Sequence, residues 1–178
     1  MADTVLVEKK YYTYNDIDYL PEGTFEIIEG EKITMSPTGF EHGECELRLG
    51  AFLSNALKDK GYVSVGEVGV LIQKAPLKIR AADIVYISKK KNLVKPKSMV
   101  KIPPDLIIEI ISPGNTLSDM LEKVQDFLSI GTDRVILIDP KTRTVSIYQK
   151  EKNYVLFYGF HEEFEIIEGL KVKIGDII

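Results

Sequence analysis

A chain of 178 residues has the size of one domain, long enough to bury a single core. With 44% hydrophobic and 28% charged residues its composition is neither disordered nor fibrous, and a formal net charge of -4 excludes coating nucleic acid by bulk charge while leaving room for a local basic patch. The single cysteine, Cys45, excludes an intrachain disulfide and a cysteine-based zinc cluster, and two histidines, His42 and His161, leave little for a histidine-rich metal site.

No apolar run approaches the roughly 20 residues that a bilayer requires, and the opening MADTVLVEKKYY lacks the layout of a signal peptide. A cytoplasmic protein without a membrane segment is expected.

Residues 11–20, YYTYNDIDYL, lead to PEG and then to FEIIEGEKITM, two β-rich runs that join at Glu29-Gly30 or Gly30-Glu31 as a hairpin. After the SPTG turn at 36–39, Cys45, Leu49, Phe52, Leu53 and Ala56 recur at helical spacing over about 41–60, with Gly61 as the stop. YVSVGEVGVLI and IRAADIVYI, separated by KAPLK, read as strands. Residues 88–101 carry six lysines and a proline with no periodicity, which predicts a loop. PPDLIIEIISPGN then gives a buried strand, and a second helix follows from about Thr116 to Ile130. Its apolar positions Leu117, Met120, Leu121, Val124, Phe127 and Leu128 fit a 3.6-residue period, Asn115 or Thr116 caps it, and Gly131 ends it. RVILIDP suits a strand buried on both faces, and TVSIYQK, NYVLFYG, FEIIEG and LKVKI follow as meander-like strands. The strand, helix, strand step over 105–139 predicts a right-handed parallel crossover. FEIIEG occurs at 25–30 and again at 164–169, which reads as one local hairpin solution used twice rather than a repeat architecture.

The chemistry is concentrated in a few carboxylates. Alternation along a strand puts Asp105, Ile107, Glu109 and Ile111 on one face, and a carboxylate among isoleucines costs several kcal/mol unless it is paired or metal-bound. Asp83, among Ala81, Ala82, Ile84 and Val85, stands in a comparable setting, and two converging carboxylates repel unless a cation separates them. Oxygen ligands of this kind favour Mg²⁺ or Mn²⁺ over zinc. Lys123, at the border of the second helix's apolar stripe, can bring its amine to these carboxylates and orient a water or neutralise developing charge. Glu46, at the edge of the first helix's apolar face with His42 one turn before it, is a fourth candidate.

Bland readings stand beside these. Glu109 can be a structural carboxylate paired with Lys123 or Arg134, and Lys123 a solvated helix lysine paired with Asp119. His42 reads as a helix-start or core histidine, Cys45 as a small core residue and Asp105 as a turn or edge residue. The lysine-rich loop reads as a solvated face or as a phosphate-backbone contact beside the metal site.

The series Asp83, Glu109 on a strand ending in Ser112-Pro113, Lys123 in DMLEKVQDFLSIG, then VILIDPKTRTVSIY, with FEIIEGEKITMSPTGFEHGE in front, resembles the Uma-two family of restriction endonucleases over most of residues 12–150. The resemblance implies the restriction-endonuclease-like fold of the PD-(D/E)XK superfamily, an α/β domain with a mixed β-sheet flanked by helices and a divalent-metal nuclease centre. Ala82-Asp83 stands for the family's Pro-Asp dipeptide. Ile111 occupies the place of the superfamily lysine two residues after the glutamate, and Lys123 matches a lysine migrated to the helix.

The expectation is therefore one restriction-endonuclease-like domain over residues 1–178: an N-terminal β extension (1–40), a nuclease core (41–139) and a C-terminal β meander (140–178). Asp83, Glu109 and Glu46 would hold Mg²⁺ or Mn²⁺, Lys123 would assist, and DNA would be cleaved by phosphodiester hydrolysis, with a homodimer as the expected assembly. The rival expectation is a degenerate nuclease-fold module that binds nucleic acid or protein without cutting.

Overall fold

The computed structural model describes residues 11–178, so residues 1–10 of the expected N-terminal extension, and most of the stretch read for a signal layout, lie outside the described residues. A 3-10 turn at Tyr14–Tyr19 leads into β1 (Phe25–Ile28) and β2 (Glu31–Thr34), paired antiparallel across Glu29 and Gly30. Both turn residues have positive φ, 51° and 80°, the geometry whose twist matches that of the flanking strands. Helix α1 (Phe40–Ala56) ends earlier than its periodicity suggested, with Leu57 as its C-cap. Gly61 does not stop it but begins β3 (Gly61–Lys74), where a Cβ would lie 2.4 Å from the Ile87 carbonyl oxygen. The glycine there answers a close strand approach, which a sequence reader mistakes for a helix terminator.

β4 (Leu77–Ser88), β5 (Leu106–Ile110), helix α2 (Leu117–Ser129), β6 (Arg134–Asp139), β7 (Thr144–Gln149) and β8 (Leu156–Gly159) complete the main sheet, in the order β2-β1-β4-β5-β6-β7-β8 with β3 also paired to β4. β5 and β6 run parallel around α2 and the other neighbours are antiparallel, which makes the sheet mixed. The last strands, β9 (Phe164–Ile167) and β10 (Leu170–Val172), depart from the expected meander. They form a separate two-stranded sheet whose Phe164, Ile166 and Val172 pack into the same core as α1. The two FEII segments are both first strands of hairpins, as their repetition implied.

Three layers result. One face of the sheet is covered by α1, through Cys45, Leu49 and Leu53, together with the β9-β10 hairpin, against Ile108, Ile110, Ile136 and Ile138. The other face is covered by α2, through Met120, Val124 and Phe127, against Ile107, Val135 and Leu137. Thr116 caps α2 in a reciprocal pair with Asp119, so Asp119 is occupied there rather than at Lys123. Among the described residues no helix is long and apolar enough to cross a membrane.

Phe127 is fully buried and anchors α2 to the sheet. Phe127→Ala is expected to cost about 3–5 kcal/mol, from lost burial plus the cavity left behind. The urea midpoint of the variant reads this directly. An unchanged midpoint would mean that α2 is held by something other than its apolar stripe.

Candidate active site

Strand β4 is paired along one edge by β3, while its other edge is shared by β1, at Ile79, and β5, at Ile84 to Tyr86. Between those two partners, hydrogen bonds between side chain and backbone replace the ladder. Glu26 of β1 accepts a hydrogen bond from Ala81 N at 3.1 Å, and Asp83 of β4 accepts one from Ile110 N of β5 at 2.6 Å. Opposite Asp83, β3 carries a bulge: Val65 pairs with Ile84 and Val68 with Ala82, so Gly66 and Glu67, with φ of 91° and 54°, face one residue of β4. Bulges re-aim side chains, and this one turns Glu67 into the same cleft as Asp83. Glu46 of α1 accepts a hydrogen bond from Gly66 N and so ties the helix to the bulge.

The cleft, about 620 Å³, is lined by the segment 35–42, Glu67, Asp83, Glu109, Ser112–Asn115, Met120 and Lys123. Asp83 and Glu109 are both buried in it. Lys123 Nζ reaches down from α2 to lie 2.7 Å from Glu109 Oε2 and 3.4 Å from Glu26 Oε1. His42 at the start of α1 bridges the two walls: Nδ1 is 2.8 Å from Ser112 Oγ, and Nε2 lies 3.3 Å from Asp83 Oδ2, close enough to be an electrostatic contact. Behind Lys123 is a charged cluster in which Arg80 donates to Glu26, Asp126 and Glu122 while Lys78 donates to Asp126.

Burial drives the titration of the acids. Glu109 is pushed up to about 8 by burial, which outweighs the opposing pull of Lys123, and the Asp83 charge adds to the rise. Burial and the Asp83 charge also raise Glu67, and burial raises Glu46 against the lowering effect of its Gly66 hydrogen bond. Burial pulls the Lys123 ammonium down, but Glu109 and Glu26 outweigh it and its pKa rises. His42 is raised by Asp83 against the pull of burial.

Because the folded pKa of Glu109 lies above its ordinary 4.5, the folded chain holds a proton that the unfolded chain releases. The corresponding stability is fully present below about pH 4.5 and is lost as pH rises through about 8. In cation-free buffer, stability is therefore expected to fall over this window by an amount on the order of a few kcal/mol, a decline that Glu109→Gln should make shallower while the raised Glu67, Glu46 and His42 keep part of it. Denaturant titrations at several pH values check it, and identical slopes for both proteins would contradict it.

Asp83, Glu109 and Lys123 thus line one cleft. Glu46 lies at one remove, its carboxylate engaged by the bulge. His42, read from sequence as a helix-start or core residue, is in the site. Arg134 donates to the Glu165 carbonyl instead of pairing with Glu109, and Asp105 accepts from Ser88 N and Oγ at the opposite end of β5. The lysine-rich loop divides: Ser98, Met99 and Lys101 at its end share a neighbouring cavity with Gly66 and Glu67, while its first lysines lie elsewhere. Lys89 and Lys90 line a separate cavity of about 840 Å³ with Asp105 and Arg134, and Lys91 pairs with Asp133. Sequence reasoning missed Glu67 and Glu26. The one trace of Glu67 is the glycine before it inside a strand pattern, a bulge signal.

A divalent cation can be tested against these donors. Glu109 Oε1 and Glu67 Oε2 are buried with no hydrogen-bond partner in the described residues, and the available atoms are hard carboxylate oxygens. Among the described residues no three of His, Cys, Asp and Glu form a complete ligand cage. The unpaired Glu109 and Glu67 oxygens are the observation that fits a hard divalent cation, which takes such donors.

Comparison with known proteins agrees with this architecture. A family model described as "Uma2: Putative restriction endonuclease" matches residues 11–172. The crystal structure of a "putative nuclease belonging to DUF820" from Anabaena variabilis ATCC 29413 superposes with a TM-score of 0.78, covering 93% of this chain and 97% of that one at 20% sequence identity, a likeness of fold. No curated protein matches.

Proposed function

The chain belongs to the Uma2 family, and from that premise we propose that it is a divalent-cation-dependent DNA endonuclease centred on Asp83, Glu109 and Lys123. The observation that carries this reading is the pair of buried carboxylates sharing one cleft with a half-buried ammonium, one of them with an oxygen left unpaired. Asp83 and Glu109 would hold Mg²⁺ or Mn²⁺, with Glu67 at the rim and Glu46 fixing the bulge that aims it. When bound, the cation supplies Lewis acidity toward a phosphate oxygen and lowers the pKa of a water.

The protein's own groups do the rest. Asp83 is locked by the Ile110 amide, so its carboxylate enters the cleft without reorganisation. Lys123 sets a positive charge where the phosphoryl oxygens gain negative charge in the transition state. Phe40, exposed at the cleft wall, offers a ring on which a base can stack. The assembly expected is a homodimer, for which Val155 and Phe157, exposed at and beside edge strand β8, offer apolar surface.

A rival reading has its own observation: Lys123 and Glu109 already form a closed ion pair, which can simply hold α2 on the sheet in a non-cutting module. Incubation of supercoiled, linear and single-stranded DNA with Mg²⁺ or Mn²⁺, and with chelator, separates the two. Cleavage abolished by chelator is the expected result. Intact DNA under every condition, with binding that ignores the cation, would replace the nuclease with the binding module.

A further inference from the structure

Lys123 has two carboxylates within reach, and only one of them belongs to the expected cation site. Its ammonium is 2.7 Å from Glu109 Oε2 and 3.4 Å from Glu26 Oε1. Glu26 is held firmly where it stands: Oε2 accepts from Arg80 Nη1 at 2.8 Å and Oε1 from Ala81 N at 3.1 Å. The surrounding charges leave it something to offer. Arg80 and Lys78 supply two positive charges to the three carboxylates of Glu26, Glu122 and Asp126, so the cluster is one cation short until Lys123 completes it.

We propose that Glu26 is a positioning residue that takes over the Lys123 ammonium when Glu109 engages a divalent cation. The inference rests on the cation site proposed above. A dication at Glu109 repels the neighbouring ammonium, and a buried ammonium without a counter-charge is costly. Glu26 Oε1 is already in place as the alternative acceptor, so the lysine stays in the cleft instead of competing with the cation for Glu109. The N-terminal hairpin thereby acts on the site through α2.

A double-mutant cycle on Mn²⁺ affinity, measured by calorimetry on the full chain, tests this without reference to cleavage. Glu26→Gln is expected to weaken Mn²⁺ binding roughly tenfold, because the ammonium then clings to Glu109 alone. In a Lys123→Met background the same Glu26→Gln change should alter affinity by less than about twofold, since no ammonium remains to be relocated. Equal losses in both backgrounds would reduce Glu26 to a distant field charge and overturn the proposal, as would an unaltered affinity in the single variant. If Glu26→Gln does not fold, Glu26→Asp, which keeps the charge against Arg80 but shortens the reach to Lys123, enters the cycle with the same expectations. Wild-type protein that shows no Mn²⁺ binding removable by Asp83→Asn would instead defeat the cation site itself, and the inference with it.

Discussion

Asp83→Asn is expected to lower DNA cleavage at least about a thousandfold, equivalent to about 4 kcal/mol of transition-state stabilisation. The amide is isosteric and its carbonyl oxygen can still accept from Ile110 N, so the buried junction between β4 and β5 is preserved. What disappears is the negative charge, and with it the attraction that concentrates a cation beside Glu109. Unchanged melting behaviour in chelator, together with loss of the Mn²⁺-induced rise in melting temperature, is the accompanying signature. Cleavage within a few-fold of wild type would move the centre away from Asp83. The Asn variant is the sharper instrument here, because Asp83→Ala would also strand the Ile110 amide.

Lys123→Met is expected to lower cleavage roughly a hundredfold, the cost of withdrawing one positioned charge from a dry site. Its effect on stability has the opposite dependence on cation. Methionine keeps the side-chain volume against the apolar stripe but leaves Glu109 buried without its 2.7 Å partner. Breaking such a pair costs about 3–5 kcal/mol when the remaining charge persists, and less when the carboxyl takes a proton instead. A divalent cation restores the missing positive charge. Added Mn²⁺ should therefore stabilise Lys123→Met more than it stabilises the wild type, and thermal melts with and without Mn²⁺ measure the difference. Equal stabilisation of the two proteins would indicate that cation and ammonium do not share Glu109.

Some of this site was legible in the chain and some was not, for physical reasons. Glu109 announced itself because a carboxylate within LIIEI has to be compensated, and the compensating Lys123 lay on a helix whose period and cap were plain in the sequence. Asp83 followed from the same reasoning on the neighbouring strand. Glu67 was hidden because a bulge interrupts the period-two pattern on which face assignment depends, and Gly66 alone hints at it. Glu26 was hidden for another reason. FEII opens a hairpin twice, yet Glu26 is buried against Arg80 while Glu165 in the second copy, whose hairpin carries a register shift, is exposed. Only tertiary placement distinguishes them. The same limit applies to β9 and β10, whose alternation marks them as strands but not as members of a second sheet. His42 was undervalued because its partners, Asp83 and Ser112, are distant in sequence.

The most direct test of the account is anomalous diffraction from crystals equilibrated with Mn²⁺. A single strong peak within coordination distance of both Asp83 and Glu109 carboxylates, with Lys123 Nζ drawn from Glu109 toward Glu26, is the predicted result. A cleft that shows no anomalous peak at saturating Mn²⁺, with the Lys123–Glu109 pair still closed, would contradict the cation-dependent nuclease and leave that pair as the strut between α2 and the sheet.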